Sequence, residues 1–153
     1  MLIAAGCGGH AAKPAALLKG PGFGFTAPAG WTVQRSARSV EAASGDRAVS
    51  VTVFRLTRPF RAALWPKVVP ELDRVAAGLA DQLRGRAGPG ADLRVAGRQA
   101  RRYDIAFQRS GKDLVERITF VLDGRREYQL LCRYPGGKPD RACAALASSF
   151  RLR

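Results

Sequence analysis

The stretch that decides the predicted fold is RRYDIAFQRSGKDLVERITFVLDGRREYQLLCRY, residues 101–134. Apolar and polar residues alternate along it with a period of two, which is typical of strands with one buried face. The turn sequences SGKD (110–113) and DG (123–124) interrupt the alternation, and connections this short join antiparallel neighbours. We therefore predict three antiparallel strands in a meander.

Each of these strands has one apolar face that we predict to point into the core. The residues on these faces are Tyr103, Ile105 and Phe107, then Leu114, Ile118, Phe120 and Leu122, then Tyr128, Leu130 and Cys132. A register slip of one residue would expose a whole set, so the pairing is well specified.

A helix is predicted after the meander, because Cys143, Leu146 and Phe150 recur at helical spacing. Pro139 suits the first turn of such a helix. Cys132 at a strand end and Cys143 on a helix that packs over that strand can come within bonding reach. We expect a disulfide, which would stabilise the domain by about 2–3 kcal/mol. Two buried free thiols are the alternative.

A strand over 48–56 and an amphipathic helix from Pro70 are predicted before the meander. The strand is rich in β-branched residues. The apolar positions of the helix are Leu72, Val75, Leu79 and Leu83. Their helical spacing predicts a stripe that covers the sheet, and Gly85 ends the helix. Residues 59–70, with Trp65 among them, are expected to form a crossover segment.

The 153 residues fit one domain with a short leading segment. We assign residues 1–22 to the end of a signal sequence and a linker, because Ala, Pro and Gly dominate there without periodicity. Residues 23–153 form the predicted single globular domain. Its predicted class is α+β, with an antiparallel sheet of about six strands flanked by helices in an α/β/α sandwich.

The first residues resemble the end of a bacterial lipoprotein signal peptide. In AAGC (4–7) small residues precede Cys7, which is the position that such signals acylate. A complete signal also needs a basic region and about 7–15 apolar residues, and only six residues precede Cys7. We therefore expect either a start upstream of Met1 or a chance match in an Ala/Gly tail. Cys7 remains when Cys132 and Cys143 pair, which favours lipidation.

The chain is strongly basic, with a formal net charge of +14 and a pI near 11.1. Arg outnumbers Lys by 21 to 5 and is spread along the whole chain, as in proteins from GC-rich bacterial genomes. Dedicated nucleic-acid modules concentrate their basic residues and interleave exposed aromatic residues. We therefore interpret most of this charge as solvated surface, with an anion-binding face as the less favoured alternative. The residues predicted for that anionic-ligand surface are Arg98, Arg101, Arg102, Arg109, Arg125 and Arg126.

The sequence carries no signature of an enzyme. A hydrolytic triad or a Cys–His nucleophile needs a base, and the one histidine, His10, lies in the leading segment. Zinc needs more Cys or His ligands than the two cysteines of the domain. Asp104 and Glu116 are candidates for a carboxylate pair on neighbouring strands, but cross-strand ion pairs with arginine are the favoured interpretation. We predict no catalytic residue, no metal site and no cofactor.

Several short motifs together resemble the Mog1/PsbP-like domains of bacterial lipoproteins. They are PAGW (28–31), the predicted helix at 70–84, VAGRQA (95–100) and SSF (148–150), in that order around the meander. The resemblance covers residues 23–153 and implies an antiparallel sheet with helices on both sides. Members of this family bind or assist larger assemblies and share no catalytic site, so the resemblance assigns no functional residues.

We expect an extracytoplasmic protein that is attached to the cell membrane by a lipid on Cys7. Its domain would be a non-catalytic binding or accessory module, with an envelope protein or an anionic polymer as partner. The alternative is a soluble basic protein that binds nucleic acid, with an affinity that falls steeply as salt rises. The dispersed arginines make nucleic acid the less favoured partner.

Overall fold

A computed structural model describes residues 15–137 and 140–153. The strands are β1 (Ala16–Gly20), β2 (Phe23–Ala27), β3 (Thr32–Arg35), β4 (Ser39–Ser44), β5 (Arg47–Arg55), β6 (Arg86–Ala87), β7 (Ala91–Val95), β8 (Arg98–Arg109), β9 (Lys112–Asp123), β10 (Arg126–Pro135) and β11 (Arg151–Leu152). The helices are α1 (Trp65–Gln82) and α2 (Arg141–Ser149), and a 3₁₀ turn at Ala62–Leu64 precedes α1.

The strands form two antiparallel sheets. The large sheet has eight strands in the order β3-β4-β5-β10-β9-β8-β6, with β7 also paired to β8. The small sheet has the order β1-β2-β11. This arrangement confirms the predicted α+β class and the antiparallel sheet. The large sheet has more strands than predicted because pieces as short as β6 are too short to show a period-two pattern.

The meander is confirmed as β8, β9 and β10. Tyr103 of β8 lies opposite Ile118 of β9, and Tyr128 of β10 lies opposite Val121 of β9. The predicted inward residues of these strands are buried, with Phe120 fully inaccessible to solvent. The predicted inward residues are therefore correct strand by strand. They do not share one face of the sheet, because Tyr103 and Phe120 belong to one core cluster and Tyr128 to the other. The expectation of one exposed face is wrong for β9, where residues 118–122 are all buried.

Helix α1 covers one face of the large sheet. Its buried residues Leu72, Ala76 and Ala80 form a cluster with the inward side chains of β8 and β9. The sheet residues of that cluster are Tyr103, Ile105, Ile118 and Phe120.

The small sheet and α2 cover the opposite face. Phe23 of β2, Tyr128 of β10 and Phe150 after α2 meet there, with ring centroids 5.5–6.5 Å apart. These three aromatic residues are at most 2% exposed. Elements therefore pack on both sides of the large sheet, which gives the sandwich that the sequence predicts.

Helix α1 starts earlier than predicted. It begins at Trp65, so Pro70 lies inside the helix and Trp65 does not belong to a crossover segment. A proline removes one backbone donor and favours a helix start, which is why the sequence placed the boundary there. Here the ring of Trp65 packs edge-on against Phe60 at 6.1 Å, and its Nε1 donates a hydrogen bond to Asp92 at 3.0 Å. These contacts hold the extra turn in place.

The buried stripe of α1 also differs from the predicted one at Val75, which is 44% exposed. Ala76 takes the inward position and is 1% exposed. A small side chain there lets the helix backbone lie close to the sheet. Hydrophobicity alone would instead favour Val75 for the buried position.

Strand β1 lies in the segment that the sequence analysis assigns to the linker before residue 23. It pairs along its whole length with β2, and Leu18 reaches the core with 5% exposure. The ordered domain therefore includes Ala16–Gly20.

Candidate anion-binding site

The six arginines predicted for an anionic-ligand surface do not converge on one place. Three of them form ion pairs with aspartates: Arg98 with Asp123 (2.7 Å), Arg101 with Asp92 (2.5 Å) and Asp73 (3.0 Å), and Arg109 with Asp46 (3.8 Å). Arg102 lowers the pKa of the nearby Asp104 carboxyl by its charge, in addition to the larger effect of Arg117. Only Arg125 and Arg126 lie beside each other at a cavity.

That cavity has a volume of about 500 Å³ and lies at one end of the large sheet. Four arginines line it, together with four uncharged residues. The lining residues are Pro21, Ala37, Arg38, Val53, Phe54, Arg55, Arg125 and Arg126. We call it the arginine cavity, and no carboxylate is among the residues that line it.

Three turns and one strand end build the arginine cavity. Pro21 comes from the β1–β2 turn, Arg38 from the β3–β4 turn, and Arg125 from the β9–β10 hairpin. Arg55 is the last residue of β5. These parts are distant in sequence and meet because β5 pairs with β10 in the middle of the sheet.

The register of β5 and β10 places two of the arginines in direct opposition. Arg55 pairs with Arg126, so their side chains leave the sheet on the same face. On its other side Arg126 lies opposite Asp123 of β9, whose carboxylate binds Arg98 at 2.7 Å.

Two contacts position Arg38. Its guanidinium lies 5.2 Å from the centre of the Phe54 ring, in a cation–π arrangement. Its backbone carbonyl accepts a hydrogen bond from Val53 N at 2.9 Å, which ties the β3–β4 turn to β5. The guanidinium is thereby held at the cavity wall.

Gly22 leaves room for Arg126. Its φ of +79° lies in the left-handed region, and a Cβ at this position would be 2.1 Å from Arg126 Nη1. The guanidinium of Arg126 also lies 3.4 Å from the Tyr128 hydroxyl. A glycine in the β1–β2 turn therefore lets the arginine side chain pass over the turn.

None of the four cavity arginines is in an ion pair with a carboxylate of residues 15–137 or 140–153. Guanidinium groups present several N–H donors in a planar fork that matches phosphate and carboxylate oxygens. Four guanidinium groups that have no carboxylate partner among these residues therefore form an arrangement suited to an oxyanion. Arg38 and Arg55 were not among the predicted residues, because no local sequence signal joins them to the hairpin.

Asp104 and Glu116 do not form a carboxylate pair. Glu116 lies opposite Ile105 in the β8–β9 register, which places the two carboxylates on opposite faces of the sheet. Arg117 binds both oxygens of Asp104, at 2.7 and 2.8 Å, and holds the pKa of that carboxyl below its usual value. Arg133 binds Glu116 Oε2 at 2.9 and 3.0 Å. Both carboxylates take part in the ion pairs that the sequence analysis favoured.

A disulfide joins Cys132 of β10 to Cys143 of α2, with Cα atoms 5.4 Å apart. The Asp140 carboxylate lies close to both sulfur atoms, and cysteines and carboxylates are frequent metal ligands. The sulfurs are bonded to each other, however, and offer no thiolate. Asp140 instead caps α2 by accepting a hydrogen bond from Cys143 N at 3.2 Å and pairs with Arg47.

The predicted lipidation site, Cys7, lies outside the described residues, and so does His10. Neither of the two described helices combines the length and the apolar character that a membrane span requires.

The antiparallel sheet between α1 on one face and α2 with the small sheet on the other is a PsbP-like α+β fold. The chain is similar to the cyanobacterial PsbP (CyanoP) of Synechocystis sp. PCC 6803, with a TM-score of 0.67 and 12% identity. That similarity covers 97% of this chain and 98% of the cyanobacterial one. The resemblance predicted from the motifs is confirmed at the level of the fold.

Two further solved structures are similar. A protein of Bacteroides thetaiotaomicron VPI-5482 matches 86% of this chain with a TM-score of 0.62 and 10% identity, and the match spans 45% of that longer protein. LpqN, a protein of Mycobacterium tuberculosis involved in cell envelope biogenesis, matches 91% of this chain and 90% of its own with 10% identity. Its TM-score of 0.47 is too low to support an inference. No protein-family model and no curated protein sequence matches this chain.

Proposed function

We propose that this chain is the extracytoplasmic domain of a membrane-anchored lipoprotein, attached through a lipid on Cys7, and that it acts by binding. The observation that carries the proposal is the disulfide between Cys132 and Cys143. Disulfides form and persist in oxidising compartments and are rare in the cytosol. The bridge therefore supports an exported protein.

The position of the bridge supports a structural role for it. Cys132 is 3% exposed and Cys143 is 5% exposed, so both sulfurs lie inside the core between β10 and α2. Redox-active disulfides need access for an attacking thiolate. With these cysteines paired in the core, Cys7 is the one cysteine left for modification.

The arginine partners of Asp104 and Glu116, the two carboxylates considered for catalysis, support binding over catalysis. Asp104 and Glu116 each bind an arginine through charge-assisted hydrogen bonds. A general acid or base must exchange its proton with a substrate near neutral pH. A carboxyl whose pKa an arginine holds low, as in Asp104, is a poor candidate for that role.

The test is the intact mass of the protein purified from its native membrane fraction, measured with and without reduction. We expect a diacylglyceryl mass on an N-terminal Cys7 and a gain of two hydrogens when the disulfide is reduced. An unmodified and already reduced chain in the soluble fraction would overturn the proposal.

A further inference from the structure

We propose that the arginine cavity binds the phosphate group of an anionic phospholipid at the membrane to which the chain is attached. The inference rests on the proposed function, which attaches the chain to a membrane. It adds a ligand and a site: the phosphate is held among Arg38, Arg55, Arg125 and Arg126.

The lining of the arginine cavity matches the chemistry of a phospholipid headgroup. Each guanidinium can donate two parallel hydrogen bonds to a phosphate, and a cavity of about 500 Å³ is ample for a phosphate with its neighbouring glycerol atoms. Val53 and Phe54 contribute apolar surface to the wall. A lipid headgroup offers both a phosphate and carbon atoms, which fits this mixed lining.

Two like charges also face each other at the site. Arg55 and Arg126 lie directly opposite each other, and neither has a carboxylate partner in an ion pair among the described residues. Like charges in this relationship destabilise an antiparallel pair. An anion between the two guanidinium groups turns the repulsion into two attractive contacts.

Two further cationic residues lie near the β1–β2 turn, which contributes Pro21 to the cavity. Arg35 at the end of β3 donates a hydrogen bond from Nη1 to the backbone carbonyl of Lys19 at 2.5 Å, which brings both cationic residues beside the β1–β2 turn. Basic residues near an anionic bilayer strengthen binding to it. Positive charge beside the β1–β2 turn therefore suits an anionic surface.

The chain between Cys7 and Ala16 is long enough for the predicted lipid anchor and the cavity to meet the same membrane. The chain between Cys7 and Ala16 can span at most about 30 Å, whereas β1 carries the backbone only about 13 Å from Ala16 to the turn at the cavity. The distance from Ala16 to the cavity is therefore shorter than the maximum span of the chain between Cys7 and Ala16. A lipid on Cys7 and a phosphate in the cavity can belong to the same membrane surface.

The test uses the full chain with Cys7→Ser, so that an acyl anchor plays no part and the failure of lipidation would not affect the result. Binding to vesicles of phosphatidylglycerol in phosphatidylcholine is measured by co-sedimentation. We expect Arg55→Gln with Arg126→Gln to weaken binding about 30-fold, from about 1 kcal/mol per residue.

The matched control is Arg86→Gln with Arg141→Gln, which removes the same charge from exposed positions away from the cavity. We expect this control to weaken binding less than about threefold, because its residues act only through long-range charge. An equal loss in both double variants would overturn the proposal in favour of non-specific attraction. Thermal unfolding of each variant verifies that the domain still folds.

Two further probes separate the lipid from other sources of phosphate. Binding of inorganic phosphate that requires Arg55 and Arg126, without binding to the vesicles, would overturn the lipid assignment in favour of a free anion. Tight binding of a single-stranded oligonucleotide without vesicle binding would overturn it in favour of nucleic acid. Equal binding to pure phosphatidylcholine vesicles would also contradict it.

Discussion

Arg55 and Arg126 lie directly opposite each other in the β5–β10 ladder. Other cross-strand neighbours in this sheet include apolar pairs such as Val51 and Leu130, and a pair of unlike charges, Asp104 and Arg117. Two arginines in this relationship oppose the pairing that holds the sheet together. The sheet keeps them because the remaining contacts of β5 and β10 are strong enough to maintain the register.

This relationship predicts that Arg55→Gln stabilises the ligand-free domain. Removing one of two facing charges should raise the free energy of unfolding by about 0.2–1 kcal/mol at low salt. The gain should shrink as salt rises, because both side chains are exposed and screening weakens their repulsion. Urea unfolding at low and high salt measures both effects. A similar gain for Arg86→Gln would attribute the effect to net charge.

The disulfide predicts that reduction destabilises the domain. The bridge joins residues that are 11 positions apart, and by the chain-entropy estimate closing such a loop stabilises the domain by about 2–3 kcal/mol. We expect reductant to lower the free energy of unfolding of the wild-type chain by this amount. Reductant should not affect Cys132→Ala with Cys143→Ala. If reduction leaves wild-type stability unchanged, the bridge is absent in solution.

The sequence predicted those parts of the fold that depend on local patterns. The meander follows from alternation within single strands and from two short turns, so Tyr103 and Tyr128 were both correctly assigned to the core. The disulfide followed from the order of the last strand and α2. The arginine cavity needed the pairing of β5 with β10, which brings Arg55 beside Arg126 from a distant part of the chain. No periodicity within one strand contains that information.

Helix α1 shows a different limit of sequence reasoning. Val75 and Ala76 are consecutive in sequence and lie about 100° apart around the helix. A hydrophobicity pattern favours the larger side chain for the core. The distance between helix and sheet decides otherwise, and only Ala76 is buried. Pro70 likewise marks a local preference for a helix start, which tertiary contacts of Trp65 override.

The stripe of α1 can be tested by two substitutions on the same helix. Leu72 is 3% exposed against β8 and β9, so Leu72→Ala should destabilise the domain by about 2–5 kcal/mol. Val75→Ala should change stability by less than about 0.5 kcal/mol, because its side chain is 44% exposed. Urea unfolding of both variants measures the two changes in the free energy of unfolding. A large loss from Val75→Ala would place the predicted stripe in the core after all.

The ion pair between Asp104 and Arg117 predicts a dependence of stability on pH. Arg117 lowers the pKa of the Asp104 carboxyl below its usual value of 3.8, so the contribution of the pair is fully present above that value. It is lost as the pH falls through the lowered pKa of the folded state. Asp104→Asn should remove about 0.5–1 kcal/mol at neutral pH, since the pair is partly exposed.

The two curves of unfolding free energy against pH, for wild type and Asp104→Asn, should therefore converge in acid. The measurement is urea unfolding at a series of pH values from neutral to below the usual aspartate pKa. A difference that stays constant down to the lowest pH would show that Asp104 acts through packing and not through its charge.

Glu127 should affect the pH dependence of stability in the direction opposite to that of Asp104. It lies between Phe54 of β5 and Leu122 of β9, and its Oε1 accepts a hydrogen bond from Gln129 Nε2 at 2.8 Å. Burial raises the pKa of the Glu127 carboxyl above its usual value of 4.5, an effect that the hydrogen bond from Gln129 partly opposes. The folded state therefore binds this proton more tightly than the unfolded state does.

Because of this raised pKa, the charge on Glu127 costs stability as the pH rises from the usual value through the higher pKa of the folded state. Glu127→Gln keeps a side chain of the same shape whose amide oxygen still accepts the hydrogen bond from Gln129, and it removes the charge. We expect the variant to be more stable than wild type at neutral pH and equal to it below the usual pKa. Urea unfolding across this pH range, with Asp104→Asn as the variant of opposite sign, provides the measurement. A loss of stability at neutral pH would show that the Glu127 carboxylate has a cationic partner in solution.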